Sequence, residues 1–326
     1  MVEHDAGWLQ DLDDYTSLFR DDFRRRDQAR WAAVYLQGLL QEGGRKTIGG
    51  LARRVALPPD LSVDDAAQAL QNFVNQSPWD EQRIWRRHRA LLAGRHAEPD
   101  GVFVLDDLAF VKQGRCSVGV QRQYSGALGR KTNCQIAVAL HHAGSAGCCP
   151  LSLRLYLPRG WLTHSHRLDA AGVPPERRDG RSKGAIALEL LDEARSEGWP
   201  ARLVTGGAGF GADREFREAL ASRGLTYLLE ASADVEPADG ETLWPAERGR
   251  VRVGNVVGAA ASWAGDARRA AAEADTVLMK ELGLDHFEGR SWRGFHHHAC
   301  LVMLAYGFRL FQGCEGGCQA AGAVAV

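Results

Sequence analysis

The chain has 326 residues, 45% of them hydrophobic, and 40 basic residues balance 41 acidic ones to leave a formal charge of −1. This content suits a large domain with a smaller companion, while the near-neutral charge neither indicates nor excludes nucleic acid, because a local basic patch suffices for phosphate contact. No apolar stretch reaches the roughly 18 residues of a membrane helix and no signal peptide is visible, so a membrane span is excluded and a cytoplasmic location predicted.

The first part of the chain predicts a helical domain, which we place at residues 1–98. Aromatic and aliphatic residues recur at helical spacing from Trp8 to Phe23 and again from Trp31 to Leu40. Arginines lie among these short helices, as in the run 24–26, and this favours a DNA-contacting module. An ordinary helical domain with a solvated basic face explains the same pattern equally well.

The middle of the chain predicts a mixed sheet covered by helices, because strands come first and helices then alternate with strands. A short buried strand at 102–105 opens this region, and a loop at 124–130 is typical of a hairpin. Further strands are predicted at 117–120, 134–140, 151–157, 202–204 and 225–229, and helices at 182–197 and 213–223.

The last part of the chain predicts a polar insertion, two helices and a tail. The helices cover 266–283 and the strongly apolar stretch 291–311. We therefore predict four parts: a helical domain at 1–98, a core at 99–231 and 266–312, an insertion at 232–265 and a flexible tail at 313–326.

Two acids, Asp106 and Asp107, follow the strand at 102–105 directly. An acid at the end of a buried strand is costly unless it is hydrogen-bonded or binds a cation. A strand-end Asp more often belongs to a turn, but the basic residues Lys112 and Arg122 follow closely and favour the metal interpretation.

Ordered motifs then carry a family resemblance. The segment DDLAFVKQG at 106–114 resembles the signature DDTGFxKKG of IS701-type insertion-sequence transposases, which belong to the DDE endonuclease superfamily. The segment SVGVQRQYSG at 117–126 continues the pattern. Near the end, EGRSWRGFHHH at 288–298 resembles the block around the last acid of that family, EGRSxxGxHRH. The resemblance covers roughly residues 15–312.

The resemblance implies an α/β fold with an RNase H-like core. In that family three carboxylates hold two divalent ions, Mg²⁺ or Mn²⁺, which activate a water or a 3′-hydroxyl for phosphoryl transfer. Asp106 matches the first acid and Glu288 the last, while Asp107 packs beside its neighbour or supports it. The basic residues expected to contact phosphates, or alternatively to form ion pairs with these acids, are Lys112, Arg122, Lys183, Arg290 and Arg293.

The second acid of the family is absent from its matching block. The block reads LVTGGAGFG at 203–211, and Gly207 stands where the Asp should be. Asp213 lies close by, but it is expected to be an ordinary acid at the start of the next helix. Because two hard cations need several carboxylate oxygens, we predict that metal binding is weak or lost and that turnover falls by orders of magnitude.

Three histidines, at 296–298, start the last apolar helix. Adjacent residues on a helix point about 100° apart, so the three cannot all face one metal ion. We expect a DNA-facing or core-polar patch here, with His296 and His298 as its candidate residues.

Two functional hypotheses follow. The first is a transposase-like protein that binds double-stranded DNA but has a degenerate metal site, so its activity as an enzyme stays open. The second is a repurposed scaffold acting as a regulator, as a partner-binding protein or as an enzyme on a small molecule. A homodimer is compatible with both.

Overall fold

The computed structural model describes the backbone of residues 2–59, 61, 63–126, 129–246, 250–256 and 260–320, and the side chains of these residues except 2–6, 261 and 313–320. The chain forms two compact units. The first contains the residues up to His88, Thr276–Gly289 and the residues from Arg293 onward. The second contains Arg89–Asp275 and Arg290–Trp292. The last long helix thus groups with the N-terminal helices, whereas the sequence-based division assigned residues up to 312 to the sheet.

The first unit is helical. Side chains start several of its helices, since Thr47 accepts a hydrogen bond from the Gly50 N–H and Asp65 one from the Gln68 N–H. Aromatic rings fill its core, as where Trp79 stacks on Phe73 with ring centroids 5.5 Å apart. Its N-terminal helices are α1 (Val2–Ser17), α2 (Arg26–Leu40), α3 (Ile48–Ala52), α4 (Ala66–Asn75) and the first half of α5 (Glu81–His96), which continues into the second unit after His88.

The second unit is built on an eight-stranded mixed sheet. Its strands are β1 (Val102–Val111), β2 (Gln121–Ser125), β3 (Arg130–Gly144), β4 (Gly147–Tyr156), β5 (Leu203–Gly206), β6 (Tyr227–Ser232), β7 (Thr242–Pro245) and β8 (Arg250–Gly254). They are arranged in the order β2-β3-β1-β5-β6-β8-β7, with β4 also paired to β3. Strand β1 runs antiparallel to β3 and parallel to β5. The predicted RNase H-like mixed sheet flanked by helices is confirmed.

Helices connect and cover these strands. They are α6 (Arg159–Leu162), α7 (Ser165–Ala170), α8 (Lys183–Ser196), α9 (Ala208–Ala212), α10 (Arg214–Ser222) and α11 (Ala260–Thr276), whereas α12 (Trp292–Ala320) belongs to the first unit from Arg293 onward. Ser182 caps α8 by accepting a hydrogen bond from the Ala185 N–H, and Asp213 caps α10 through the Phe216 N–H. Asp213 is therefore the helix-start acid that the sequence predicted. No helix in the described ranges is long and apolar enough to cross a membrane.

The local structure differs from the prediction in three places. No strand forms at 117–120: Val118 and Val120 are buried, but Gly119 between them has φ 74°, which breaks an extended backbone. The hairpin is real but joins β2 to β3, and residues 127–128 of its loop lie outside the described residues. The polar stretch at 232–265 contributes β7 and β8, two short strands whose flanking Pro and Gly residues concealed them.

Candidate functional site

The parallel pairing of β1 and β5 brings the predicted first acid beside the position without an acid. Leu105 of β1 lies opposite Gly206 of β5 in this register. The next residues are Asp106, which continues β1, and Gly207, which follows β5 as the N-cap of α9. A Cβ atom on Gly207 would lie 3.9 Å from Oδ1 of Asp106. Positions 106 and 207 are thus close enough for a pair of acids, but only position 106 carries an acid.

The Asp106 carboxyl group is half-buried. Its Oδ1 accepts a hydrogen bond of 2.7 Å from the Asp107 N–H. Burial, reinforced by the nearby Asp275 carboxylate, raises the pKa of Asp106 to about 6. The Asp107 N–H, Arg268 and His141 act in the opposite direction and favour the ionised form. Asp106 therefore lies in a cluster of opposite charges.

Asp275 is the second acid of this cluster. It lies near the end of α11, where it is buried, and its Oδ1 is 3.2 Å from Nε2 of the fully buried His141 on β3. This contact is an ion pair. Burial by itself lowers the pKa of His141, but the Asp275 carboxylate outweighs burial and the pKa lies well above its usual value. His141 is thus held as an imidazolium.

Arg268, also on α11, is the second cation of the cluster. Its Nη2 would lie 4.0 Å from a Cβ atom on Gly207. Its guanidinium also forms an ion pair with Glu230 of β6. Arg268 therefore pairs with Glu230 and acts on Asp106 electrostatically from beside position 207.

Asp107 points to the other face of the sheet, because successive strand residues alternate. Its Oδ2 accepts a hydrogen bond of 2.6 Å from Nζ of Lys183, the first residue of α8. Lys183, which was predicted to contact phosphate or to pair with an acid, thus pairs with an acid. Asp107 forms this ion pair on the face of the sheet opposite Asp106.

Glu288, the predicted third acid, belongs to the first unit. Its side chain is 67% exposed, and its nearest described cation is Arg45, whose Nη2 lies 3.9 Å from Oε1. Arg293, in the same unit, donates a hydrogen bond to the carbonyl of Gln76. Arg290 is exposed and belongs to the sheet unit, where its carbonyl accepts a hydrogen bond from the Val118 N–H.

Of the predicted basic residues, Lys112 is half-buried directly after β1 and Arg122 is exposed on β2. Arg122 lines a recess of about 450 Å³ together with Arg115 and Arg167. The Arg167 guanidinium is held in place because it stacks 4.0 Å above the Trp161 ring. The sheet unit therefore carries a cluster of three arginines, of which Arg115 and Arg122 are exposed and Arg167 is half-buried.

The histidines at 296–298 are buried in the helical unit. His297 stacks on Trp79 with ring centroids 3.6 Å apart, and burial lowers its pKa to about 3. Nδ1 of His298 lies 2.9 Å from the Tyr35 hydroxyl, and its Nε2 lies 3.0 Å from the Gly283 carbonyl. His296 meets the Trp85 ring edge-on. Their burial favours the core-polar alternative over the DNA-facing one.

A cleft in the helical unit collects five arginines. It has a volume of about 690 Å³ and lies between the end of α1 and the start of α2. Asp13 and Asp21 are its acidic residues, and Arg25 pairs with Asp27 at 3.1 Å. The arginines that line it, all exposed, are Arg20, Arg24, Arg25, Arg26 and Arg30.

The residues around Asp106 do not fit the pair of divalent ions that DDE endonucleases use. Among the residues whose side chains are described, no three His, Cys, Asp or Glu could together hold a metal ion. Gly207 offers no ligand atom, and the groups that face Asp106 include the cations Arg268 and His141. A divalent cation would meet repulsion here where the family provides carboxylate oxygens.

The sequence did not reveal Asp275, Arg268 or His141 as site residues. A usable signal was present in α11, where an acid interrupts a stripe of buried alanines at 267, 271 and 274. His141 had none, since a histidine within an apolar strand is usually a satisfied core residue.

Comparison with known proteins agrees with the geometry of the sheet. A family model described as DDE superfamily endonuclease matches residues 18–297. The chain is 27% identical over 216 residues to a protein of Microchaete diplosiphon named "Probable transposase for insertion sequence element IS701". That match covers 66% of this chain and 51% of the relative, so the chain spans about half the length of the curated relative it matches.

Proposed function

The chain belongs to the DDE superfamily endonucleases, as an IS701-type transposase homologue, and we propose that it binds DNA but is deficient in cutting and joining it. This proposal separates two properties that an active transposase combines. DNA contact depends on distributed basic residues, whereas strand cleavage depends on a compact set of acids. The chain has kept the first kind of feature and changed the second.

The observation that carries the proposal is the pairing of Gly207 with Asp106. The two residues follow the last paired residues of β1 and β5, and a Cβ on Gly207 would lie 3.9 Å from Asp106 Oδ1. A side chain at 207 would therefore point into the site, and glycine contributes neither charge nor ligand oxygen. The loss of one ligand from a set that must neutralise two divalent ions supports a large loss of activity.

The electrostatics of the cluster support the same proposal. Burial and Asp275 raise the pKa of Asp106 to about 6, so a proton competes with a metal for this carboxylate as the pH falls below that value. Arg268 and His141 already provide positive charge at the acids. These residues can hold one another in place and can exclude water, but they offer no group placed to activate a nucleophile.

Retained DNA binding is supported by the two arginine clusters. The cleft of the helical unit has five arginines against two aspartates, and the recess of the sheet unit has Arg115, Arg122 and Arg167. Arginine presents a planar fork that matches phosphate oxygens. We propose double-stranded DNA as the partner, bound through its backbone, and Lys112, Arg290 and Arg293 as further candidates for phosphate contact.

The proposal is tested by scoring one preparation for binding and for cleavage. We expect duplex DNA to bind in a salt-dependent manner, and we expect no strand nicking in Mg²⁺ or Mn²⁺ above a control without protein. Metal-dependent nicking would refute the deficiency. Absence of DNA affinity at moderate salt would refute the binding role and would favour a repurposed scaffold.

A further inference from the structure

Helix α11 presents a cation and an acid to the sheet, two turns apart on one side of the helix. Arg268 and Asp275 share this side with the buried residues Ala267, Ala271 and Ala274. Asp275 reaches His141 of β3, and Arg268 reaches Glu230 of β6. The helix therefore covers the face of the sheet that carries Asp106 and brings both charges to it.

The guanidinium of Arg268 lies close to position 207, on the side of that position that also faces Asp106. A Cβ on Gly207 would lie 4.0 Å from Arg268 Nη2 and 3.9 Å from Asp106 Oδ1. These are ordinary contacts, but any longer side chain at 207 would extend toward the guanidinium or the carboxylate. Glycine at 207 thus leaves room for Arg268 beside Asp106.

The charges of the cluster nearly balance without a metal ion. The acids Asp106, Asp275 and Glu230 face the cations Arg268 and His141, and Arg250 also pairs with Glu230, at 3.0 Å. Buried carboxylates need a partner of opposite charge, and removal of one partner leaves the other uncompensated. A divalent ion would have to displace or approach Arg268, and like charges at such distances repel strongly in a site of low dielectric constant.

We infer that Arg268 is the resident cation of this centre, that it takes the place of a divalent metal beside Asp106, and that His141 completes the charge balance at Asp275. This inference deepens the proposed function and rests on it in one respect, the absence of a ligand at 207. It adds that the centre has become an internal ion cluster that holds α11 on the sheet, so the resident cations themselves exclude a metal.

The test measures metal binding and thermal unfolding of the full chain, with MnCl₂ as the probe. We expect the melting temperature of the wild-type protein to be unchanged by Mn²⁺. We expect Arg268→Met to lower the melting temperature by several degrees, and Mn²⁺ to recover part of this loss, since the freed carboxylates can then hold a cation. Arg269→Met is the matched control, because Arg269 is the neighbouring residue with a side chain 73% exposed, and it should change neither value.

Electron paramagnetic resonance of added Mn²⁺ gives a second measurement on the unmodified protein. We expect the signal of the free ion, and the same signal with Asp106→Asn. Bound Mn²⁺ in the wild type that Asp106→Asn releases would overturn the inference, even if Arg268→Met failed to fold. An Arg268→Met protein as stable as wild type and indifferent to Mn²⁺ would also overturn it. Bound Mn²⁺ without nicking would refute this inference alone, whereas nicking would refute the proposed function.

Discussion

Gly207 faces Asp106 across adjacent parallel strands, and a Cβ on the glycine would lie 3.9 Å from Asp106 Oδ1. This pairing explains how a small change in sequence alters the chemistry of a conventional sheet. The mixed sheet is that of a DDE superfamily endonuclease, and the proposed loss of cleavage rests on one position without a side chain beside Asp106. Arg268 approaches from α11 at that same position.

Restoring an acid at 207 should be tolerated by the fold. Gly207 has φ −70° and ψ 172° at the N-cap of α9, a conformation and position that suit aspartate. Gly207→Asp should therefore unfold within about 1 kcal/mol of wild type in urea, because Arg268 can compensate the new carboxylate. In the Arg268→Met background the same substitution should be clearly destabilising without metal. Equal effects in the two backgrounds would contradict the pairing of Arg268 with position 207.

The arginine cleft of the helical unit should contribute to DNA affinity. Arg20→Gln, Arg24→Gln and Arg26→Gln combined should weaken binding to a random-sequence duplex. They should also reduce the slope of log affinity against log salt by about one for each phosphate that the protein no longer neutralises. Fluorescence anisotropy at several salt concentrations measures both the affinity and the slope.

Two controls frame this measurement. Arg53→Gln removes an exposed arginine of the same unit outside the cleft and should leave the slope unchanged. Asp13→Asn removes negative charge from the cleft and should tighten binding. An unchanged slope in the triple variant would show that DNA binds elsewhere.

Lys183 and Asp107 should be energetically coupled. Their hydrogen bond of 2.6 Å joins two charged groups that are 31% and 22% exposed, so partial screening should limit the coupling to about 1 kcal/mol. A double-mutant cycle of Lys183→Met and Asp107→Asn in urea measures it. If Lys183 mainly contacts phosphate instead, the cycle will show no coupling, and Lys183→Met will lower the salt slope of DNA binding.

Glu241 should stabilise the sheet unit in a pH-dependent manner. Burial by itself raises the pKa of Glu241, but hydrogen bonds from Tyr227, the Ala238 N–H and the buried Arg217 outweigh it and hold the pKa below its ordinary value of 4.5. The folded pKa is depressed, so the stabilisation is fully present above pH 4.5 and is lost as the pH falls through the folded pKa.

Glu241→Gln should accordingly cost about 3 kcal/mol at neutral pH, and the difference from wild type should shrink below pH 4.5. Urea unfolding at a series of pH values measures this difference. Glu218→Gln is the control, because Glu218 pairs with Arg214 at the exposed surface and should have little effect. A difference that is independent of pH would contradict the role of the Glu241 charge.

The sequence predicted the part of the site that lies on the sheet, because local patterns fix it. A buried apolar run followed by acids and an ordered family block identified Asp106 and position 207. The predicted end of the strand at Leu105 was wrong, because β1 continues through both acids to Val111 on its ladder with β3, while the pairing with β5 ends at Leu105 and Gly206, one residue before Asp106 and position 207. The contribution of α11 could not be predicted, because helix periodicity does not tell which strands its face will meet. Arg268 and Asp275 became site residues only through packing against β3 and β6. The resemblance directed attention to Glu288, whose described partner is Arg45.

The most direct test of the deficient site is nicking of supercoiled plasmid DNA by the purified chain in Mg²⁺ and in Mn²⁺, compared with Asp106→Asn prepared identically. The account predicts that both proteins nick no more than a control without protein, under conditions in which both bind the DNA. Metal-dependent nicking by the wild-type chain that Asp106→Asn abolishes would contradict it.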